Sequence, residues 1–348
     1  MLYIGIDQHK KSSYFCCLNE AGQVVNEKNL VNDSKSIESF LSTLPDDELT
    51  AVLEVSSYWG IMHDTLEELD LFDSIKLAHP QKLKAFASAN KKTDKIDAHL
   101  LADLLRRDQI PEVWIQSKTL RVQKNIARFR LFLVRERTRI KNRIHNIASR
   151  NHLNIPEVSD LFGKYGREWL ETVDLTKEER FTLDCHLDFL DFLESQIKKV
   201  EKYLNKLFKD DEEIKLLKTI PGIGNILGVV LKLEIGDINR FETVGKFHSY
   251  SGLIPSIYSS AQIMRYGRLV KNSNKYIRWA LVEASQVVIR YSMNFKLKYN
   301  RISVRKNNQT AIIVIARKLA STIFYMLNRK EEYHENRKAC SPSPFTNA

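Results

Sequence analysis

Leu2-Tyr3-Ile4-Gly5-Ile6-Asp7 and Thr50-Ala51-Val52-Leu53-Glu54 carry the reading of the first hundred residues. Each is a short apolar run that ends on an acid, with the length and composition of a strand. Between them, Ser12–Leu18 and residues 23–28 read as two more strands. The turn Asn19-Glu20-Ala21-Gly22 joins them into a hairpin. A helix is expected over residues 34–42 with Ser34 as its N-cap, another over Trp59–Leu69, and a short strand over Ser74–Ala78. The order strand, strand, strand, helix, strand, helix, strand predicts a mixed α/β sheet with helices packed on it.

Beyond this sheet the pattern turns helical. Ile96, Leu100, Leu101, Leu104 and Leu105 recur at three- and four-residue spacing, which predicts a helix over residues 91–107. After Pro111, long helices are expected over Lys118–Arg150 and residues 177–208, paired as an antiparallel helical hairpin. Further helices are expected over Lys275–Tyr291 and residues 309–328, and a disordered polar tail after Glu331. The expected domains are an α/β catalytic domain over 1–112, a basic helical coiled coil over 113–212, a mainly helical domain over 213–330 and the tail over 331–348.

The acids are the first functional signal. In a ribonuclease-H-like sheet the strands ending in Asp7 and Glu54 run parallel and adjacent, so their terminal carboxylates lie side by side. Asp94 and Asp97 are three apart on a helix and share a face. If that helix crosses the sheet end, four carboxylates converge and need a cation, and hard oxygen ligands suit Mg²⁺ or Mn²⁺. Such ions can activate the attacking oxygen and stabilise the leaving oxygen at a phosphodiester. The plainer alternative is that Asp7 caps a turn and that Asp94 and Asp97 serve only as the acidic first turn of a helix.

Charge points to the substrate class. The 348 residues carry a net charge of +11, which favours a polyanionic partner, nucleic acid first. Basic residues dominate Lys118–Arg150, among them Arg121, Lys124, Arg128, Arg135, Arg139 and Arg143, with Glu136 its one acid. So one-sided a helix would repel itself unless it met an anion. Ile220-Pro221-Gly222-Ile223-Gly224 before an apolar helix reads as a helix-hairpin-helix turn, in which Gly222 and Gly224 would let a phosphate approach the backbone. An ordinary glycine-containing helix connection fits it equally. The serine-rich stretch 249–260, followed by Arg265, Arg268, Lys271 and Lys275, would hold a phosphate or supply a nucleophile, although a serine-rich loop is more often only a loop.

The remaining composition excludes other classes. Cys16, Cys17, Cys185 and Cys340 have neither zinc-site nor disulfide spacing, so they are expected to be inert thiols in a reducing cytoplasm. No signal sequence or membrane span is expected, because the run 311–316 is cut short by Arg317 and Lys318. The expected location is therefore cytoplasmic and nucleoid-associated, with no membrane partner.

Taken in order, these residues resemble the insertion-sequence-110 family of DEDD transposases over nearly the whole chain. Tyr3-Ile4-Gly5-Ile6-Asp7-Gln8-His9-Lys10 is similar to the first acidic motif. Leu53-Glu54-Val55-Ser56 with Trp59-Gly60 is similar to the second, and Lys92-Thr93-Asp94-Lys95-Ile96-Asp97-Ala98 to the third. Thr219 to Gly224 resembles the opening of the C-terminal transposase domain, Gly252-Leu253-Ile254-Pro255 with Ser259-Ser260 its serine motif, and Asn274 to Leu281 the helix after it. The resemblance implies a RuvC-like N-terminal domain, a coiled-coil middle and a C-terminal domain with a nucleophilic serine. It further implies a transient phosphoserine link to donor and target DNA, a bridge RNA from the element, and a homo-oligomer, dimer or tetramer, whose subunits share active sites. Ser260 is the better match to the nucleophile and Ser259 the second. The sequence departs from the family at Ala261, where glycine is common, and in the less glycine-rich run Gln262-Ile263-Met264-Arg265-Tyr266.

Three other readings compete. A junction-resolving nuclease of the same fold would use water as nucleophile and leave no covalent species. Actin-like sugar kinases also open on Gly-Ile-Asp and a hairpin, but their further glycine-rich phosphate loops are missing here. A non-catalytic nucleic-acid-binding protein would not need four acids in place.

Overall fold

The computed structural model describes residues 1–86, 93–260 and 263–335, with backbone alone at 257, 259, 260, 263, 264 and 266. The chain divides into two compact units, Met1–Thr119 and Leu120–Ala348.

The first unit is built on a five-stranded sheet of order β3-β2-β1-β4-β5. Its elements are β1 (Leu2–Gln8), β2 (Ser12–Leu18), β3 (Val24–Val31), α1 (Ser34–Leu41), β4 (Leu49–Glu54), α2 (Trp59–Leu69), β5 (Ser74–Ala78), α3 (Pro80–Leu83) and α4 (Asp94–Arg106). β2 is antiparallel to β1 and β3, whereas β1, β4 and β5 are parallel. This is the mixed sheet the strand order predicts.

Strand periodicity of two then sorts the side chains. Leu2, Ile4 and Ile6 of β1 and Ala51 and Leu53 of β4 enter a core with Ile37, Phe40 and Leu41 of α1 and Met62 and Leu66 of α2. On the opposite face, Val52 packs with Leu101, Leu104 and Leu105 of α4. Burying those three leucines stabilises the α4–sheet contact by at most about 5–9 kcal/mol. Tyr3 also lies on that face, and Asp7 and Glu54 keep the same parity. The cysteines follow the rule too: Cys17 joins the α1–α2 core and Cys16 packs with Ala98 and Ala102 of α4. Burial pushes the Cys16 thiol up to about 11 and Cys17 up to about 12, so both stay protonated.

Two details depart from expectation. Asp33, not Ser34, caps α1, its carboxylate accepting from the Ser36 backbone N–H at 2.8 Å. A carboxylate accepts there more strongly than a hydroxyl and also meets the positive end of the helix dipole. Ile96, expected in the apolar stripe of α4, is 41% exposed.

The second unit is helical. It holds α5 (Lys118–Arg150, entering from the first unit's last residues), α6 (Lys164–Thr172), α7 (Lys177–Leu207), α8 (Glu212–Lys218), α9 (Asn225–Ile235) and α10 (Val244–Tyr250). A hairpin of β6 (Pro255–Ser260) and β7 (Ile263–Leu269) follows, then α11 (Lys275–Tyr291), α12 (Met293–Arg305) and α13 (Asn308–Arg329). Ile140, Ile144 and Ile147 of α5 share a core with Leu183, Leu187, Leu190 and Leu193 of α7. Arg130 pairs with Glu201 and Arg150 with Glu179, both at 2.6 Å. Rising numbers on α5 meet falling numbers on α7, so the two helices are antiparallel.

α13 is long and apolar enough, by composition, to cross a membrane. In this fold its Ile315, Ala316, Leu319, Ala320 and Ile323 are core residues of the second unit.

Candidate active site

The last paired residues of the parallel ladder are Ile6 and Leu53, so Asp7 and Glu54 follow one register step later on neighbouring strands. α4 brings the other acids. A Cβ on Gly5 would stand 2.0 Å from the Ala98 carbonyl oxygen and 2.5 Å from the Ala102 nitrogen. Only glycine lets the helix backbone come so close to β1. That approach sets the first turn of α4, with Asp94 and Asp97, over the end of β1. Thr93 caps α4, its hydroxyl accepting from the Ile96 N–H at 3.3 Å. Lys95 pairs with Glu27 of β3, which fastens the same turn to the sheet.

Asp7, His9 and Asp94 bring one ligand atom each within 4.8 Å of one another. His9 Nε2 lies 3.5 Å from Asp7 Oδ2 and 3.2 Å from Asp94 Oδ1. Burial first, then the charges of Asp94, Asp97 and Glu54, push the Asp7 carboxyl up to about 6, against the pull of His9. The other three predicted acids therefore all lie within electrostatic reach of Asp7. Crowded carboxylates of this kind favour a bound cation, and the oxygen-rich donor set fits a divalent one.

Sequence alone does not mark His9 as a ligand. Its only signal is a position two residues past Asp7, which keeps strand parity with it. Gln8 stitches the loop after β4 to this end of the sheet. Its amide donates to the Tyr58 carbonyl at 3.0 Å and accepts from the Ser56 hydroxyl at 3.3 Å. Lys92, the first residue of the third motif, lies outside the described residues.

In the second unit, Ser260 ends β6 and pairs in register with Ile263, as Ser259 does with Met264. Ala261 and Gln262, and the side chains of both serines, lie outside the described residues. Around them Tyr258 is exposed and faces Arg265 across the ladder. Arg268 and Lys271 are also exposed or partly so. A loop is expected here from the serine-rich sequence, whereas the stretch forms a two-stranded hairpin.

The hairpin leads into α11 through Asn274, whose side-chain oxygen caps the helix at the Tyr276 and Ile277 N–H groups, at 3.0 and 3.1 Å. The Asn274 amide donates to Glu234 of α9 at 2.7 Å. Glu234 is 2% exposed and also accepts from Arg128 at 2.6 and 2.8 Å, with Lys124 Nζ at 3.5 Å. Burial would raise the Glu234 carboxyl, but the Arg128 hydrogen bonds and the Lys124 charge hold it below the usual range. Burial pulls the Lys124 ammonium down, and Glu234 offsets this in part.

This network changes the picture of the basic helix. Lys124, expected to face nucleic acid, is 4% exposed and sits in the core beside Glu234. Arg128 spends its guanidinium on the same carboxylate and stacks over the Tyr276 ring at 4.5 Å. Part of the helix's charge is thus met by acids of its own unit, distant in sequence. Arg139 and Arg143 are exposed or partly so, as is Arg135, and Arg121 is partly buried. Gly222, with φ +95°, meets α11: its Cβ would lie 2.7 Å from Val287 Cβ. Its close approach is to a helix, whereas Gly224, before α9, faces open space.

Acids at the ends of two neighbouring parallel strands, and in the first turn of the helix across them, fit a ribonuclease-H-like domain of the DEDD type. Comparison with known proteins agrees. A DEDD transposase model of the IS110 type, described as "Transposase", matches residues 4–152, and the model "Transposase IS116/IS110/IS902 family" matches residues 214–300. The transposase for insertion sequence element IS1328 of Yersinia enterocolitica is 26% identical over 311 residues, 88% of each chain. The transposase for IS1111A of Coxiella burnetii is 23% identical over 338 residues, 95% of this chain and 90% of the relative. The pilin gene-inverting protein of Moraxella lacunata is 24% identical over 298 residues, 82% of this chain and 80% of the relative. The chain belongs to the IS110/IS116/IS902 transposase family, and it is an enzyme of insertion-sequence transposition that acts on DNA.

Proposed function

We propose that this transposase cuts and rejoins DNA through Asp7, Glu54, Asp94 and Asp97, acting with Mg²⁺ or Mn²⁺, and through Ser260 as nucleophile, guided by a bridge RNA from its element. The observation that carries the reading is the convergence of Asp7 and Asp94, with Asp7 pushed up to about 6 by burial and by three neighbouring acids. When bound, the divalent ion would polarise the scissile phosphate and offset charge on the leaving oxygen. The four acids would hold that ion, and His9 Nε2, 3.5 Å from Asp7 and 3.2 Å from Asp94, would offer a further donor beside them. Ser260 Oγ would bond to phosphorus as the bond to a deoxyribose oxygen breaks, its proton leaving and a free DNA hydroxyl being released. Attack by a hydroxyl of the partner strand then restores a phosphodiester and frees the serine. The ester keeps the bond energy, so rejoining needs no high-energy cofactor.

Arg135, Arg139 and Arg143, with Arg265, Arg268 and Lys271, are the cations proposed to follow nucleic-acid backbone. Arg121 and Gly224 complete that surface, while Lys124, Arg128 and Gly222 act by holding the unit together. A homo-oligomer, dimer or tetramer, in the cytoplasm and at the nucleoid, is part of the same reading.

The test is to incubate the purified protein with Mg²⁺, RNA from the element's flanks and labelled donor DNA, and to look for a denaturation-resistant protein–DNA adduct. An adduct present in the wild type and lost in both Ser260→Ala and Asp7→Ala supports the mechanism. Cleavage without adduct that survives Ser260→Ala but not Asp7→Ala refutes the serine step and leaves a junction-resolving nuclease that uses water.

A further inference from the structure

A second group of potential ligands lies on α2, apart from the four acids. His63, Asp64 and Glu67 bring one ligand atom each within 4.8 Å of one another. Helical spacing explains part of this, since residues four apart share a face. His63 Nδ1 stands 3.7 Å from Glu67 Oε2 and 3.8 Å from Asp64 Oδ1. The imidazole supplies an independent observation. Its side chain is 6% exposed, and Nδ1 is buried with no hydrogen-bond partner among the described residues. A buried polar nitrogen without a hydrogen-bond partner is destabilising, and this one faces two carboxylates just beyond hydrogen-bond distance.

We infer that His63 Nδ1, Asp64 and Glu67 form a binding site for a divalent ion of the zinc class. One imidazole nitrogen with two carboxylates suits Zn²⁺ or Co²⁺ better than Mg²⁺, which prefers an all-oxygen shell. At metal–ligand distances of about 2.1 Å, a tetrahedral pair of ligands stands about 3.4 Å apart. The observed separations need to close by only a few tenths of an ångström. Glu67, with its side chain 71% exposed, has the freedom to do so. Asp64 is already oriented: its Oδ1 lies 3.8 Å from His63 Nδ1 and its Oδ2 3.9 Å from Lys118 Nζ. Three protein ligands leave a fourth position for water.

The site is tested on the full-length protein with Zn²⁺ alone, by competition against a chromophoric chelator, and with Co²⁺ by its visible spectrum. An Asp7→Asn, Asp94→Asn background removes the first cluster, so the outcome does not depend on the proposed catalytic mechanism. One Zn²⁺ per chain should bind in that background, in the presence of excess Mg²⁺. Adding His63→Gln should weaken it by more than the roughly 10- to 100-fold lost when a residue that only orients a ligand is removed. Glu67→Gln, at an exposed position that leaves the core intact, should weaken it likewise and decides the matter if His63→Gln does not fold. Absence of Zn²⁺ binding in the background, or binding unchanged by Glu67→Gln, overturns the site.

Discussion

Replacing Glu234 with leucine removes the buried carboxylate that Lys124, Arg128 and Asn274 share. Lys124, 4% exposed, then loses the ion pair that offsets much of its burial, and Arg128 is deprived of both its hydrogen bonds to that carboxylate. Asn274 also loses its acceptor at 2.7 Å, while keeping its cap on α11. Breaking a buried ion pair from one side costs about 3–5 kcal/mol, because the partner's desolvation is no longer offset. For a unit of about 150–250 residues, each kcal/mol lowers the midpoint by roughly 2–4 °C, so Glu234→Leu should lower that of the second unit by about 10 °C. Lys124→Met in the same chain removes the buried ammonium that has lost this carboxylate, and Arg128, which is partly exposed, can turn to solvent. The double variant should therefore recover to within about 1–2 kcal/mol of the wild type. Calorimetry of the full-length protein reads both. A single variant within about 1 kcal/mol of wild type, or a double variant no better than the single, would refute the account of this network.

Other consequences follow from the same geometry. Gly5→Ala puts a methyl against the Ala98 carbonyl, so it should cost at least about 1–3 kcal/mol and reduce DNA cleavage by displacing Asp94 and Asp97, read by denaturation and a cleavage assay. Asp94→Asn should lower DNA cleavage by at least about a hundredfold while leaving the fold intact, since Asp94 is exposed; cleavage within about tenfold of wild type would remove it from the site. Burial and the Arg317 charge hold the His248 imidazole down at about 4. Because the folded value lies below the unfolded one, this stability is present above about pH 6.5 and is lost as pH falls toward 4, by about 2 kcal/mol between about pH 7 and pH 5. His248→Gln should flatten that part of the pH–stability curve. Alanine at Arg135, Arg139 and Arg143 together should weaken nucleic-acid binding without changing sequence preference. The salt slope should fall by about 1 for each phosphate these arginines no longer neutralise, and an unchanged slope would place the nucleic acid on another face.

The sheet was legible because each of its signals is local. An apolar run that ends on an acid shows both the strand and the residue at its tip, and strand parity then assigns Asp7 and Glu54 to the face that α4 covers. The third motif announces its own helix through Thr93 and the leucines after Asp97. What was not legible depended on partners far along the chain. The β6–β7 hairpin looks like a loop because serine and glycine break its apolar alternation, although Tyr258 and Leu269 sit at ladder positions. α12 is hidden because Ser292 is both the C-cap of α11 and the N-cap of α12, so the two helices meet with no glycine or proline between them.

The basic helix gives the most instructive difference. From sequence, α5 is an almost unrelieved row of cations, and every arginine is an equal candidate for a phosphate. Folding divides that row. Lys124 and Arg128 turn toward Glu234, more than a hundred residues further on, and Arg130 and Arg150 turn toward acids on α7. The cations nearest the serine hairpin's anchor therefore act through Asn274 on the hairpin's exit, while Arg135 and Arg143 further along α5 stay exposed and Arg139 pairs with Glu136 of its own helix. One helix thus braces the unit that carries Ser260 and, in the proposed function, also offers the surface for its polyanionic partner. Charge counts alone cannot separate those roles, because they differ only in which cations the fold has already neutralised.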